Sequence, residues 1–578
     1  MWVDLDDPEV VDDNDDDDGL NFYEPDDLDY PEYKYDSFAE LERKHNRCEF
    51  LSLQDICLQT ISKNLPRFNL AFSVSENLDF RRNLQYLQRF HSIYFISEVT
   101  KTTGKLDESY FDFLLNEYIK EFDMNPLYDC DWDAVVKRMS EIGHGFEKVR
   151  FTFPEEPDFG KVVDFVNKIV PSLPNVNTLD LTPYCNDATL EIVTSTCLHL
   201  KELYIDCSSV TDKGLKSLCQ KNEDNVCRLN LTRLSLPNVV GVNEGIAYVL
   251  QNMPSIETLV HVDLPYILYN IHKDNMSNTL EKKYNLTSLY LGANSPWESS
   301  SSVTDILILF SEVCPHIKEI TLRLMCKEHL DLCLRFPELE KFNACNNVTV
   351  SLSLDLNEFL KAKGGMLRAL LLEKFDLSVT ALVQNCPKLE KLNLLNSTFQ
   401  PFETGTTLQS LNKLQELTLE YFNFGDAQVR RSVIYILNSS QNVEKLSLLC
   451  CKFVNNEEFV TRLSKFCENE ALEYLKFTSC DVDEAFLQSI LLTCTNLKTL
   501  VIEYCDNITD TQILNLEELS HSLKNYVKLM WTDDRSEFEI DSGDDMFYDY
   551  SEYDSDDFDN HDPYDSDNLY YGYDSDGY

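Results

Sequence analysis

Two short clusters in this 578-residue chain carry side chains capable of chemistry. They are Gly143-His144-Gly145, an imidazole between two glycines, and the adjacent thiols Cys450 and Cys451. A histidine so placed could act as a general acid or base, and neighbouring thiols could cycle through a disulfide. Neither has the company such chemistry needs. The chain contains no Gly-x-x-x-x-Gly-Lys-Ser/Thr loop, no Gly-x-Ser-x-Gly elbow, no His-Glu-x-x-His pair and no Cys-x-x-Cys, and its 10 His are scattered. Carboxylate pairs abound in Asp-rich end segments, where solvated side chains cannot hold the geometry that proton transfer requires. The expectation is a non-enzymatic chain with no cofactor and no metal. His144 is then a loop residue, and Cys451 a buried structural thiol.

The elements that would position these residues are set by one recurring phrase, an apolar residue, two others, then Leu-x-Leu or its equivalent. It is clear at Leu200-Leu203-Ile205, Ile317-Ile320-Leu322, Leu389-Leu392-Leu394, Leu414-Leu417-Leu419, Val443-Leu446-Leu448, Leu472-Leu475-Phe477 and Leu497-Leu500-Ile502, with weaker copies at Leu179, Leu234, Leu259, Leu289, Phe342 and Leu370. From Leu179 to Leu500 the twelve steps average about 27 residues, within the range of leucine-rich repeats. Each phrase predicts a short strand with alternate residues inward. The stretch after it turns polar and then helical, as in Val210 to Leu218 and Ala485 to Leu491. Several predicted helices end at Cys: Cys314, Cys386 and Cys494. Leu500, Ile502, Cys505, Ile508 and Asp510 resemble the cysteine-containing subclass of the repeat, and Cys451 falls in register with Cys505. The fold class is therefore α/β, a leucine-rich repeat solenoid over residues 151–532. The Ser-rich insertion Ser299 to Ser302 is expected to form a loop.

Residues 37–150 read as a helical adaptor-binding and capping region. Helical spacing runs from Ser109 to Phe122 and from Asp131 to Met139, and Asp131 and Gly143 punctuate the start and stop of the second helix. The flanks, 1–36 and 533–578, are acidic and Tyr-rich, with net charges of −15 (13 Asp, 3 Glu, 1 Lys) and −17 (15 Asp, 3 Glu, 1 Arg) out of −50 for the chain. With so few aliphatic residues they are expected to be disordered tails. A balance of 50 Lys and Arg against 100 Asp and Glu excludes a phosphate backbone as the general partner, so no nucleic acid is expected. No apolar run approaches a membrane span; Ile306 to Phe310 is the kind of short run that occurs. The first residues carry no basic start or apolar core, and the 19 Cys are spread over a long chain, so the expected setting is cytoplasmic or nuclear, with reduced thiols.

Ahead of the repeats, Leu53, Cys57 and Ile61 stand at i, i+4 and i+8, a narrow apolar stripe if helical, with Ser52 placed to cap the first turn. The pattern resembles the elongin-binding box of substrate receptors in elongin–cullin ubiquitin ligases. The resemblance implies that Leu53 enters a pocket on elongin C, Cys57 packs where a larger side chain would clash, and Ile61 closes the stripe. Leu65-Pro66 then stands where such receptors select a cullin, with cullin-2 implied. The layout resembles the Zyg-11 family, a box followed by leucine-rich repeats, but the armadillo region of that family is missing. Leu53, Ile61, Leu65, Leu70 and Val74 also fall near the apolar spacing of an F-box, which docks on Skp1, although Gln54 replaces its usual Pro and no Trp follows between residues 78 and 90. A third resemblance, to acidic nuclear phosphoproteins with repeats and an Asp-rich tail, implies histones or other basic partners.

The expected role is substrate recognition for a cullin-RING ubiquitin ligase, docking on elongin C and elongin B through Ser52, Leu53, Cys57, Ile61 and Leu65. A protein client would bind the repeats. Side chains alternate along a strand, so residues between and after the inward leucines face the concave surface. Tyr204, Arg323, Glu373, Glu420, Lys476 and Glu503 are the client-binding candidates, expected outward in one row.

Overall fold

In the computed structural model the described residues are 96, 110–127, 130–153, 158–273, 282–291, 300–346, 356–401, 411–440, 442–452, 471–523 and 526–532. Ser52 to Leu65, the tails 1–36 and 533–578, and Ser299 lie outside them.

Each leucine phrase forms a short strand, because alternation of apolar and polar side chains can bury one face while leaving the other solvated. The first sheet consists of β1 (Glu121–Asp123), β2 (Lys148–Arg150), β3 (Thr178–Asp180), β4 (Glu202–Tyr204), β5 (Arg233–Ser235) and β6 (Thr258–Val260), paired in that order and all parallel. The second begins with β7 (Ser288–Leu291), β8 (Glu319–Leu324), β9 (Lys341–Asn346) and β10 (Ala369–Glu373). Two short strands, β11 (Asp376–Leu377) and β13 (Thr398–Phe399), pair with each other. The second sheet continues through β12 (Lys391–Leu395), β14 (Glu416–Glu420), β15 (Lys445–Leu449), β16 (Tyr474–Thr478), β17 (Thr499–Glu503) and β18 (Lys528–Thr532), ten parallel strands in all. Parallel neighbours need a crossover. Helices supply many of these, such as Asp187–Thr196, Val379–Asn385 and Glu484–Thr493.

The register stacks like on like. Leu370, Leu392, Leu417, Leu446, Leu475 and Leu500 form one buried column, and Leu372, Leu394, Leu419, Leu448, Phe477 and Ile502 the next. All are at most 1 % exposed. Each repeat thus completes its neighbour's core, and the fold is an α/β leucine-rich repeat solenoid.

Beyond several of the strands lies a device that the sequence did not disclose. The second residue after the inner apolar position has positive φ in seven repeats, Cys207, Lys374, Asn396, Tyr421, Cys450, Ser479 and Tyr504, with values from 42° to 60°. None is Gly, so each backbone is held in a region side chains disfavour. The compensation is visible. The Asn396, Cys450 and Ser479 amides donate to carbonyls of the following strand, at Glu420 (2.9 Å), Thr478 (2.8 Å) and Glu503 (2.8 Å). The residue after the bend turns inward: the Cys480 thiol donates to Leu448 O at 3.2 Å, and Ser397 Oγ to Leu395 O at 2.9 Å. A donor at this position satisfies carbonyls exposed by the bend, which explains why Cys and Ser interchange there.

Three expectations need correction. Ser109 to Phe122 is not one helix: among its described residues the α-helix covers only Phe111–Leu114. Asn116 ends it by donating to Leu114 O (3.1 Å) and accepting from the Tyr118 amide (3.1 Å), which frees the chain to enter β1. Strand pairing also starts before residue 151, since β1 and β2 carry a single inward residue each, Phe122 and Val149, too little for a Leu-x-Leu signal. The Ser-rich insertion is not a loop, because the helix Ser300–Val313 begins within it and buries Ile306, Leu307, Leu309 and Phe310. By contrast, Asp131 caps the helix Trp132–Ile142 by accepting from the Asp133 amide, and Gly143 follows its end.

Candidate protein-binding face

The face of the second sheet turned away from the leucine columns presents its side chains in parallel rows, because register is kept from strand to strand. The row before the first Leu is a ladder of alternating charge. Glu319 pairs with Lys341 at 3.1 Å, and Glu416 sits between Lys391 at 2.7 Å and Lys445 at 3.1 Å. Burial alone would raise the Glu416 carboxyl, but hydrogen bonds from Lys391 and Lys445 outweigh it and hold the group below its ordinary value. The middle row contains Thr321, Asn343, Leu371, Asn393, Thr418, Ser447, Lys476 and Val501.

The six client-binding candidates are outward but not in one row. Arg323, Glu373, Glu420 and Glu503 share the row after the second Leu, in register with Cys345, Leu395, Leu449 and Thr478. Lys476 belongs to the middle row, two residues earlier in its repeat and in register with Val501. Tyr204 is separate, on the first sheet, where its hydroxyl donates to Glu202 Oε2 at 3.1 Å. The reason is that Tyr204 and Lys476 lie between the two inward residues of their phrases, whereas the other four follow the second.

All six are half-buried, and their engagement differs. Lys476 Nζ lies 2.7 Å from Glu503 Oε2, which also accepts from Thr478 Oγ1 at 3.2 Å. Glu373 pairs with Lys374 at 3.1 Å. Burial, then repulsion from Glu373, pushes the Glu420 carboxyl up. Arg323 Nε is buried with no hydrogen-bond partner. The face therefore offers mixed charge interrupted by Leu395 and Leu449, a surface suited to a polypeptide rather than to a small apolar ligand. At its margin Tyr421 is 60 % exposed.

The two clusters that suggested chemistry are placed by packing. Gly143-His144-Gly145 forms a turn of 3-10 helix because neither flanking position has room for a side chain. A Cβ on Gly143 would fall 2.3 Å from Ser172 O, and one on Gly145 2.6 Å from Glu117 O. His144 is exposed. Cys450 occupies a positive-φ bend, and Cys451, 1 % exposed, donates to Leu449 O at 3.2 Å. Thiols at helix ends are buried likewise; burial pushes Cys197 and Cys386 up to about 12. Among the described residues no group of His, Cys, Asp and Glu is arranged to hold a metal ion, and no helix is long and apolar enough to cross a membrane. Ser52, Leu53, Cys57, Ile61 and Leu65 are outside the described residues.

The fold and face together define a leucine-rich repeat binding scaffold. No family model and no curated protein matches the sequence. Among solved structures, an internalin from Listeria monocytogenes is similar at a TM-score of 0.31 and 14% identity, covering 62% of this chain and 92% of the other. The yeast Rad7 and Elc1 complex gives 0.33 and 12%, covering 84% and 100%. The leucine-rich repeat-containing protein LegL7 from Legionella pneumophila gives 0.28 and 12%, covering 55% and 90%.

Proposed function

We propose that this chain is a non-enzymatic substrate-recognition subunit of a cullin-RING ubiquitin ligase. It docks on elongin B and C through Ser52, Leu53, Cys57 and Ile61, with Leu65 contributing to adaptor or cullin contact. It holds a protein client on the outward rows that include Arg323, Glu373, Glu420, Lys476 and Glu503, and Tyr204 on the first sheet. The observation that carries the reading is the spacing of Leu53, Cys57 and Ile61 immediately ahead of a repeat array. A narrow apolar stripe fits an apolar groove on an adaptor, and a repeat sheet offers extended area for a client. Its contribution to ubiquitin transfer is proximity, with the bond-forming chemistry left to the cullin's partners. Such a receptor works in the cytoplasm or nucleus.

Affinity purification of the full chain from cells tests this against its rivals. Recovery of elongin C with a cullin supports the reading. Skp1 in its place makes the chain an F-box-type receptor, and histones or other basic proteins without either adaptor make it an acidic binding protein with no ligase role.

A further inference from the structure

A cavity of about 410 Å³ opens at the lower edge of the first sheet, lined by Lys120, His144, Asn175, Asn177, His199 and Lys201 together with Gly145 and Glu147. These residues come from successive repeats: His144 from the turn before β2, Asn175 and Asn177 from the approach to β3, His199 and Lys201 from the approach to β4. The polar groups are not equally engaged. Lys120 is divided between Gly145 O at 3.2 Å and Glu147 Oε1 at 3.3 Å, so the one carboxylate of the cavity is already balanced. Asn175 donates to His144 O at 2.7 Å, which fixes the turn that carries the imidazole. Asn177 uses its Oδ1 to accept from Thr178 Oγ1, leaving its amide hydrogens for a ligand. Lys201 Nζ and both imidazole rings have no side-chain partner among the described residues.

The free groups therefore include the Lys201 ammonium, the amide hydrogens of Asn177 and one N–H on each imidazole, whose other ring nitrogen can accept. Shape is not what singles the cavity out. A groove of about 330 Å³ occupies the corresponding edge of the second sheet, but it is lined by Glu444 and Glu473 with a single Lys413. Two grooves of one architecture thus carry opposite charge, and the cationic one stands in a chain of net charge −50. Its volume is at the small end of ligand sites, and its lining lacks the apolar and aromatic walls that a drug-like molecule needs. We infer that this cavity is a binding site for a tetrahedral oxyanion, either free phosphate or a phosphorylated side chain of a protein partner, with Lys201, His199, His144 and Asn177 as donors. This site is distinct from the client face of the second sheet and goes beyond the receptor reading.

The test uses the full chain, titrated by calorimetry at constant ionic strength with inorganic phosphate, with a phosphoserine peptide and with the same peptide unphosphorylated. The variants are Lys201→Glu and His199→Ala, whose side chains are exposed and hold nothing in place, and Lys413→Glu in the second groove as control. The site predicts binding of phosphate or phosphopeptide but not of the unphosphorylated peptide. Affinity should fall about tenfold or more in Lys201→Glu and less in His199→Ala, with Lys413→Glu within about twofold of the parent. Equal affinity for phosphate and phosphopeptide identifies the free anion as ligand, and binding of the phosphopeptide alone identifies the modified side chain. The inference is overturned if the parent chain binds neither, if Lys201→Glu binds undiminished, or if Lys413→Glu loses as much as Lys201→Glu.

Discussion

Replacing Lys476 by Met should destabilise the repeats even though Lys476 is an outward residue on the proposed client face. The ammonium is 2.7 Å from Glu503 Oε2, and the two side chains retain only 25% and 23% of their exposure. Fully exposed pairs contribute about 0.2 to 1 kcal/mol, whereas removing one partner of a buried pair costs about 3 to 5 kcal/mol. A pair three-quarters withdrawn from water falls between, and Thr478 Oγ1 remains to satisfy part of the abandoned carboxylate. We therefore expect a loss of roughly 2 kcal/mol for Lys476→Met and about 1 kcal/mol for Glu503→Gln, whose amide oxygen can still accept from Thr478. The exchanged double variant, Lys476→Glu with Glu503→Lys, should restore most of the stability. Urea unfolding followed by circular dichroism, analysed as a double-mutant cycle, measures the coupling, expected near 1.5 kcal/mol. A coupling below about 0.3 kcal/mol would show that solvent screens the pair as it screens any surface pair, and the account of this face as semi-buried would be wrong.

Three further outcomes follow from the same physics. Glu416, held below its ordinary value of 4.5, contributes stability that is present above that value and is lost as pH falls through its lower folded value. Glu416→Gln should therefore destabilise at neutral pH, by about 0.5 to 1 kcal/mol after allowance for screening, with the difference disappearing in acid unfolding titrations. Glu420 is raised, so its ionised form is disfavoured at neutral pH, and Glu420→Gln should raise the urea midpoint slightly at pH 7, an advantage that shrinks as pH falls through the raised folded value and is gone below the ordinary one. Gly145→Ala should lower stability by roughly 1 to 3 kcal/mol because the new methyl meets Glu117 O, a backbone atom that cannot swing aside; an unchanged melting curve would refute the crowding. Among the thiols of the described residues, native alkylation mapped by mass spectrometry should label exposed Cys207 first, with Cys185, Cys314, Cys333 and Cys386 reacting only after unfolding.

The repeat architecture was legible because each phrase pairs an alternation of period two with a fixed spacing, and every phrase named from Leu179 to Leu500 falls at a described strand. Legibility failed where one apolar residue does a strand's work. Phe122 and Val149 are each flanked by charged residues, and nothing local distinguishes Glu121 to Asp123 from a helix turn until β2 is there to pair with it. The bends were hidden for a different reason. Positive φ is signalled in sequence by Gly or Asn, but Lys374, Tyr421, Cys450, Ser479 and Tyr504 adopt it under tertiary constraint from the next strand. On the candidate face, alternation gave outwardness correctly, while row membership needed the register, which separates Lys476 from Glu503 by one row and yet brings them into contact. The cationic cavity had no linear signature, since Lys120, His144, Asn177 and Lys201 converge only when the four units carrying β1 to β4 stack. The Gly-His-Gly turn was its one visible trace.

The central claim is receptor docking through the segment ahead of the repeats, and direct binding tests it most closely. Purified full chain should bind purified elongin B–C complex with one-to-one stoichiometry in calorimetry. Leu53→Ala combined with Cys57→Phe should abolish that binding, the Leu contact alone being worth roughly 2 to 4 kcal/mol if it is a hot spot, while the melting curve of the repeats stays unchanged. Undiminished binding by the double variant, or a parent chain that ignores elongin B–C and captures Skp1, would contradict the account.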